Sequence, residues 1–188
     1  MFEKFPLILH YNDTKMKTKE DIIIALNEVI NELDSYISTC DAAKFTKSIN
    51  KKWSIAENIE HLTISNNITA FSISMPKILL QQFYGKNART AWNYDEVVWQ
   101  YQLKLQNGAK ATLPFQPKLS LIKLKKLTLR LWKNSCSNLL QAIQKLSETD
   151  LDNYLIPHPI IGKISIRELL FFTVYHIQHH YKTIQQIH

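Results

Sequence analysis

The chain has 188 residues, of which 45% are hydrophobic and 11% aromatic; that suits one core and is short for two, so 1–188 reads as a single domain. With only 3 glycines and 6 prolines, a turn-rich β-sandwich, a glycine-dependent dinucleotide fold and a disordered chain are all excluded. The net charge of +7 raises nucleic acid as a partner. Of the 23 basic residues, however, only Arg89, Arg130 and Arg167 are arginine, the side chain best suited to base edges, so nucleic acid is not the expected partner.

No apolar run approaches the ~18 residues that would suggest a membrane span. The start, Met1-Phe2-Glu3-Lys4-Phe5-Pro6, carries an acid and a proline where a signal peptide needs a smooth apolar stretch. Cys40 and Cys136 are too few for a disulfide framework, so a reducing, cytoplasmic location is expected.

In chain order, Thr18-Lys19-Glu20-Asp21 opens a first helix through Ile22, Leu26, Val29, Ile30, Leu33 and Ile37. Ser54-Ile55-Ala56-Glu57 is a capping box for a second helix, expected to run to Met75 before Pro76 kinks or stops it. Between 84 and 117 the periodicity fails, apart from a short helix around 95–106. A connection that long inside a compact domain suggests a lid or pocket wall. A third helix is expected over 120–146. A break at Leu155-Ile156-Pro157-His158-Pro159-Ile160-Ile161-Gly162 precedes a second capping box, Ser165-Ile166-Arg167-Glu168, which opens the last helix. Four long helices and one long crossover predict an all-α four-helix bundle.

The histidines carry the chemistry. His176 and His180 are four residues apart on the last helix, so they project from one face, where two imidazoles can share a metal ion. At about 100° per residue they lie on the arc of Leu169, Thr173 and Ile187, facing inward, while His179 falls outside it. His61 lies two turns into the second helix on a stripe with Asn58, Ser65, Ile68 and Ser72, which is small and polar enough to line a cavity. Three imidazoles from facing helices leave coordination positions open, as a catalytic metal site requires. Spacing alone leaves buried core histidines or a surface pair as alternatives.

Lys52-Trp53-Ser54-Ile55-Ala56-Glu57-Asn58-Ile59-Glu60-His61-Leu62 resembles the segment that opens the second helix of the DinB-like superfamily: a tryptophan, a hydroxyl cap, a glutamate, then His-Leu. The run from His158 to Ser165, followed by Glu168-Leu169-Leu170 and His176-Ile177-Gln178-His179-His180, resembles that family's C-terminal signature. Pro114-Phe115-Gln116-Pro117 suits its branch with a long middle connection. The resemblance covers almost the whole chain. It implies an up-up-down-down type bundle and a divalent metal held by His61, His176 and His180. The implied activity is a metal-dependent hydrolase or thiol-dependent transferase acting on a small molecule; the alternative is a non-catalytic metal- or ligand-binding bundle. Zinc or nickel suits three imidazoles, iron is admissible, and a low-molecular-weight thiol is the implied co-substrate.

Trp53 is expected to be a structural staple, Glu57 the capping partner of Ser54, and Glu60 a solvent-facing acid. Asn58 and Ser65 are candidates to hydrogen-bond the ligand imidazoles. His158 stands either in a rigid turn or near the metal region. The two cysteines read as buried, inert thiols. Lysines interleaved with leucines over 118–133 read as the wet face of a bundle helix, with Leu129 and Trp132 as a homodimer contact if exposed.

Overall fold

The computed structural model describes residues 16–48, 52–118 and 124–187. The N-terminal hexapeptide and the expected helix start at Ser120 lie outside the described residues. In order, the elements are α1 (Lys19–Thr39), α2 (Ala42–Phe45), α3 (Ile55–Ile73), α4 (Lys77–Tyr84), α5 (Tyr94–Gln106), a 3₁₀ turn (Leu113–Phe115), α6 (Lys125–Gln144), α7 (Glu148–Asn153), β1 (Leu155–His158), β2 (Gly162–Ser165) and α8 (Ile166–Gln185).

Local chemistry explains most of these boundaries. Thr18 caps α1, Ser54 caps α3 and Ser165 caps α8, each in a reciprocal capping box with Asp21, Glu57 and Glu168. Asn93 with Glu96, and Ser147 with Asp150, do the same for α5 and α7, two boxes not singled out in the sequence. Pro76 ends one helix and starts another: α3 stops at Ile73, and Pro76 is the N-cap of α4.

The long helices form a four-membered ring: α3 packs on α6 and α8, and α1 on α8 and α6. Consecutive bundle helices α1 and α3 therefore stand diagonally, while the long crossover joins the neighbours α3 and α6. Ile22, Leu26, Leu33, Ile59, Leu62, Leu139 and Ile143 fill the centre, all fully buried. Trp132 is also fully buried, its indole N–H donating to Asp34 Oδ1 at 2.7 Å. It is therefore not the exposed dimer contact considered for it, and Leu129 is half-buried against the core.

The break in the helical pattern before the last helix is a β-hairpin. β1 and β2 pair antiparallel with Ile156 opposite Ile164 and His158 opposite Gly162. Gly162 closes the turn at φ 96°, a conformation that costs other residues strain. Alternation along β1 turns Ile156 and His158 inward and Pro157 outward.

The crossover is fastened at its start. Arg89 makes a bidentate pair with Glu168 at 2.7 Å for both bonds, the Trp92 amide donates to the same carboxylate, and the guanidinium lies 4.1 Å over the Trp92 ring. Glu168 is fully buried, so the capping acid of α8 also holds the chain entering α5. That fastening sets α5 against α8.

Candidate metal centre

His61 on α3 and His176 and His180 on α8 meet inside the bundle. All three are buried, and one nitrogen from each lies within 4.8 Å of the other two. They are the group of potential ligands of this kind among the described residues.

Hydrogen bonds orient two of the rings. His61 Nδ1 donates to the Phe115 carbonyl at 2.6 Å, since a carbonyl can only accept. His180 Nδ1 lies 2.7 Å from Asn58 Oδ1. The Asn58 amide nitrogen donates to the carbonyls of Trp53 and Ser54, which leaves Oδ1 to accept from His180. Both rings therefore carry their proton on Nδ1 and turn an Nε2 lone pair toward the shared space. His176 Nε2 sits 3.0 Å from His61 Nε2 and must be the donor in that contact without a metal. Burial holds His61, His176 and His180 below the ordinary imidazole range, His176 and His180 well below it. Three neutral imidazoles, two of them with the outer nitrogen pinned and an Nε2 lone pair turned inward, are a donor set that a divalent transition metal takes.

The three rings form one end of a cavity of about 580 Å³, within the range of small-molecule sites. The crossover supplies one wall through Tyr101, Leu105, Lys110 and Phe115, so the long connection is a pocket wall. The hairpin supplies another through Ile156, His158 and Ile160.

Trp53 is more than a staple. Its ring lies 5.1 Å from that of His61 and stacks at 6.2 Å on that of His180, bordering the cavity. His158 resolves both of its readings at once. Its Nδ1 accepts from the Ile160 and Ile161 amides at 3.2 and 3.1 Å, ordering the turn, while its ring packs 4.3 Å from Phe172 on the pocket wall. Burial pushes it down to about 4, so the ring is neutral with its proton on Nε2.

His179 is half-buried, lines the same cavity and lies outside the group of three. Ser65 does not hydrogen-bond an imidazole as considered; its hydroxyl has no partner. Glu57 is confirmed as the capping acid. Glu60 is half-buried and absent from the pocket wall. Cys136 is buried as expected, its thiol pushed up by desolvation; Cys40 is half-buried and not buried, though desolvation raises it too despite Lys125 and Lys44 nearby. Sequence reasoning missed Tyr101. Nothing in the short helix around it marked the face that turns toward the histidines, and its ring contacts His176, His179 and His158 at 6.4 Å.

The sequence matches the DinB superfamily over residues 25–184. The chain belongs to that superfamily. Solved structures of the same fold include TT2238, a four-helix bundle protein, at 18% identity and TM-score 0.57, covering 90% of this chain and 99% of that one. YfiT from Bacillus subtilis, described as a "probable metal-dependent hydrolase with an unusual four-helix bundle topology", aligns at 15% identity and TM-score 0.55, covering 99% and 91%. The colibactin self-resistance protein ClbS, solved in complex with double-stranded DNA, aligns at 13% identity and TM-score 0.56, covering 89% and 94%. No curated protein matches the sequence. No helix among the described residues is long and apolar enough to cross a membrane.

Proposed function

We propose that this DinB-superfamily protein is a metal-dependent hydrolase of a small molecule, with the metal held by His61, His176 and His180. The observation that carries the reading is the convergence of three buried, neutral imidazoles at the end of a cavity, two of them with their outer nitrogens pinned. A bound divalent metal, zinc or nickel by preference and iron next, would polarise a substrate carbonyl or acidify water.

The chain's own residues divide the remaining work. Trp53, Phe115 and Phe172 shield the trio from solvent and give an apolar bed. No carboxylate lines the cavity among the described residues, and the titratable groups nearest the trio are imidazoles, so the reading gives proton transfer to one of them. His158 Nδ1 is occupied by two amides, which leaves that ring as a donor through Nε2. His179 is the imidazole free to take a proton, and burial holds it below the ordinary range, unprotonated at neutral pH. A low-molecular-weight thiol in place of water is the transferase form of the same reading, because a metal acidifies thiols as well.

The lack of a carboxylate also favours a second reading, a non-catalytic metal- and ligand-binding bundle. Protein purified without a histidine tag should hold about one zinc or nickel per chain by elemental analysis, and His61→Ala should lose it. Turnover of ester and amide panels, with and without a thiol, then separates hydrolase, transferase and binding protein. A chain that takes up no transition metal sinks the proposal, and salt-sensitive binding of duplex DNA would replace it.

The protein is further read as a cytoplasmic homodimer. Two cysteines without a disulfide fit a reducing compartment, and exposed Phe71, Ile78, Phe83 and Trp99 fit self-association. Light scattering tests the second point.

A further inference from the structure

Beyond the trio, α3 lines the cavity with Ser65, Thr69 and Ser72, which continue the His61 stripe along the helix. Hydroxyls inside helices commonly donate to the carbonyl four residues back, as Thr63 does to Ile59, Thr173 to Leu169 and Thr183 to His179. Ser65 makes no such bond. Its side chain is buried, 8% of the residue being exposed, and its Oγ has no hydrogen-bond partner. A buried hydroxyl is ordinarily satisfied, so an orphan on the wall of a cavity points to a partner that is not part of the chain.

The other walls restrict what that partner is. Lys110 is the sole Lys, Arg, Asp or Glu side chain lining the cavity among the described residues, and it is exposed. The rest of the wall beyond the imidazoles is chiefly Ile68, Leu105, Phe115, Ile160 and Phe172 with small hydroxyls. A cation would find no counter-charge here. An uncharged molecule or a single anion would meet an apolar bed and, at one side, an ammonium.

We infer that the cavity takes an uncharged or singly anionic small molecule with an apolar body, whose reacting end meets the histidines and whose second polar group accepts a hydrogen bond from Ser65. Four residues of helix separate Ser65 from His61, so the two polar ends of the ligand lie roughly 6 Å apart. The assignment deepens the proposed function, since it takes the cavity to be the substrate site, and it makes Ser65 a determinant of specificity.

The test uses two probes that share head and chain length, hexanohydroxamic acid and its analogue with a ketone on the fourth carbon. In zinc-loaded wild-type protein, calorimetry should show the ketone binding about tenfold tighter, the effect of one well-made hydrogen bond in a dry site. Ser65→Ala should reduce that ratio to about one while zinc stoichiometry stays as in wild type. The same variant should leave the Tm of metal-free protein unchanged or higher, because it removes an unsatisfied group; a merely structural serine would lower it. Hexylammonium at the same concentration should not bind.

Equal ratios in wild type and Ser65→Ala overturn the inference, as does failure of both hydroxamates to bind. Tight binding of hexylammonium overturns the charge assignment. The pair is also compared on metal-free protein by ligand-observed NMR at millimolar probe, where the ketone preference should persist and again require Ser65. Absence of zinc uptake with that preference intact would sink the metal reading and leave the Ser65 subsite standing; loss of the preference in both forms would sink the subsite alone.

Discussion

Asn58 and His180 are joined across the α3–α8 interface by a 2.7 Å hydrogen bond, and the direction of that bond follows from what the asparagine does elsewhere. Because the Asn58 amide nitrogen is committed to the carbonyls of Trp53 and Ser54, its oxygen can only accept, and the imidazole must donate from Nδ1. One side chain in the first turn of α3 thus ties down that helix start and aims a ring on α8.

Asn58→Ala should therefore weaken zinc binding by about 10- to 100-fold, the usual cost of removing a group that orients a metal-binding histidine. Asn58→Asp, which keeps the acceptor, should retain binding. Competition with a chromophoric chelator measures both, and circular dichroism checks the fold. Wild-type affinity in Asn58→Ala would mean that packing alone orients His180.

The C-terminal cluster divides by role. His176→Ala and His180→Ala should each remove most metal, whereas His179→Ala should keep about one metal per chain and lose turnover. The physical basis is the separation of His179 from the trio along with its place on the cavity wall. If His179→Ala empties the site and His180→Ala does not, the ligand assignment fails.

Acid should destabilise the metal-free protein through its histidines. The sign follows from burial: His158 is held at about 4 against an ordinary 6.5, so between those values the unfolded chain binds the extra proton. Stability is full above pH 6.5 and falls as pH drops toward 4, by about 3 kcal/mol from His158 alone, with His61, His176, His179 and His180 adding in the same direction. Urea melts at pH 7 and pH 4.5 measure the total. His158→Asn, which keeps an acceptor for the turn, should flatten the slope, and an unchanged slope would assign the loss elsewhere.

Arg89→Ala should loosen the crossover more than the bundle. Glu168 would keep its bonds from the Ser165 and Trp92 amides but lose the guanidinium, a loss of about 2 kcal/mol for a hydrogen-bonded charge. Hydrogen exchange should rise most over 87–98, and ligand affinity should fall because Tyr101 and Leu105 shift with α5. Uniform destabilisation across α1, α3 and α8 would contradict a local fastening.

Much of this protein is legible in its sequence because the determining interactions are local. Periodicity and the boxes at Thr18, Ser54 and Ser165 place the long helices, since each cap and its partner lie within one turn. The i, i+4 pair His176 and His180 shares a face for the same reason, and the motifs around His61 and His158 carry the family resemblance. Other features depend on contacts between residues far apart in the chain. Ile156 and His158 alternate as a strand does, yet two prolines nearby mask the hairpin, which exists because its inner face packs on α8. Trp132 looked available for a partner until packing buried it against Asp34. Only the tertiary structure brings His61 to the pair on α8, selects the acceptors that fix their tautomers and leaves Ser65 without a partner. Those outcomes depend on the ring order of the bundle and on the path of the crossover, which no periodicity within a single helix encodes.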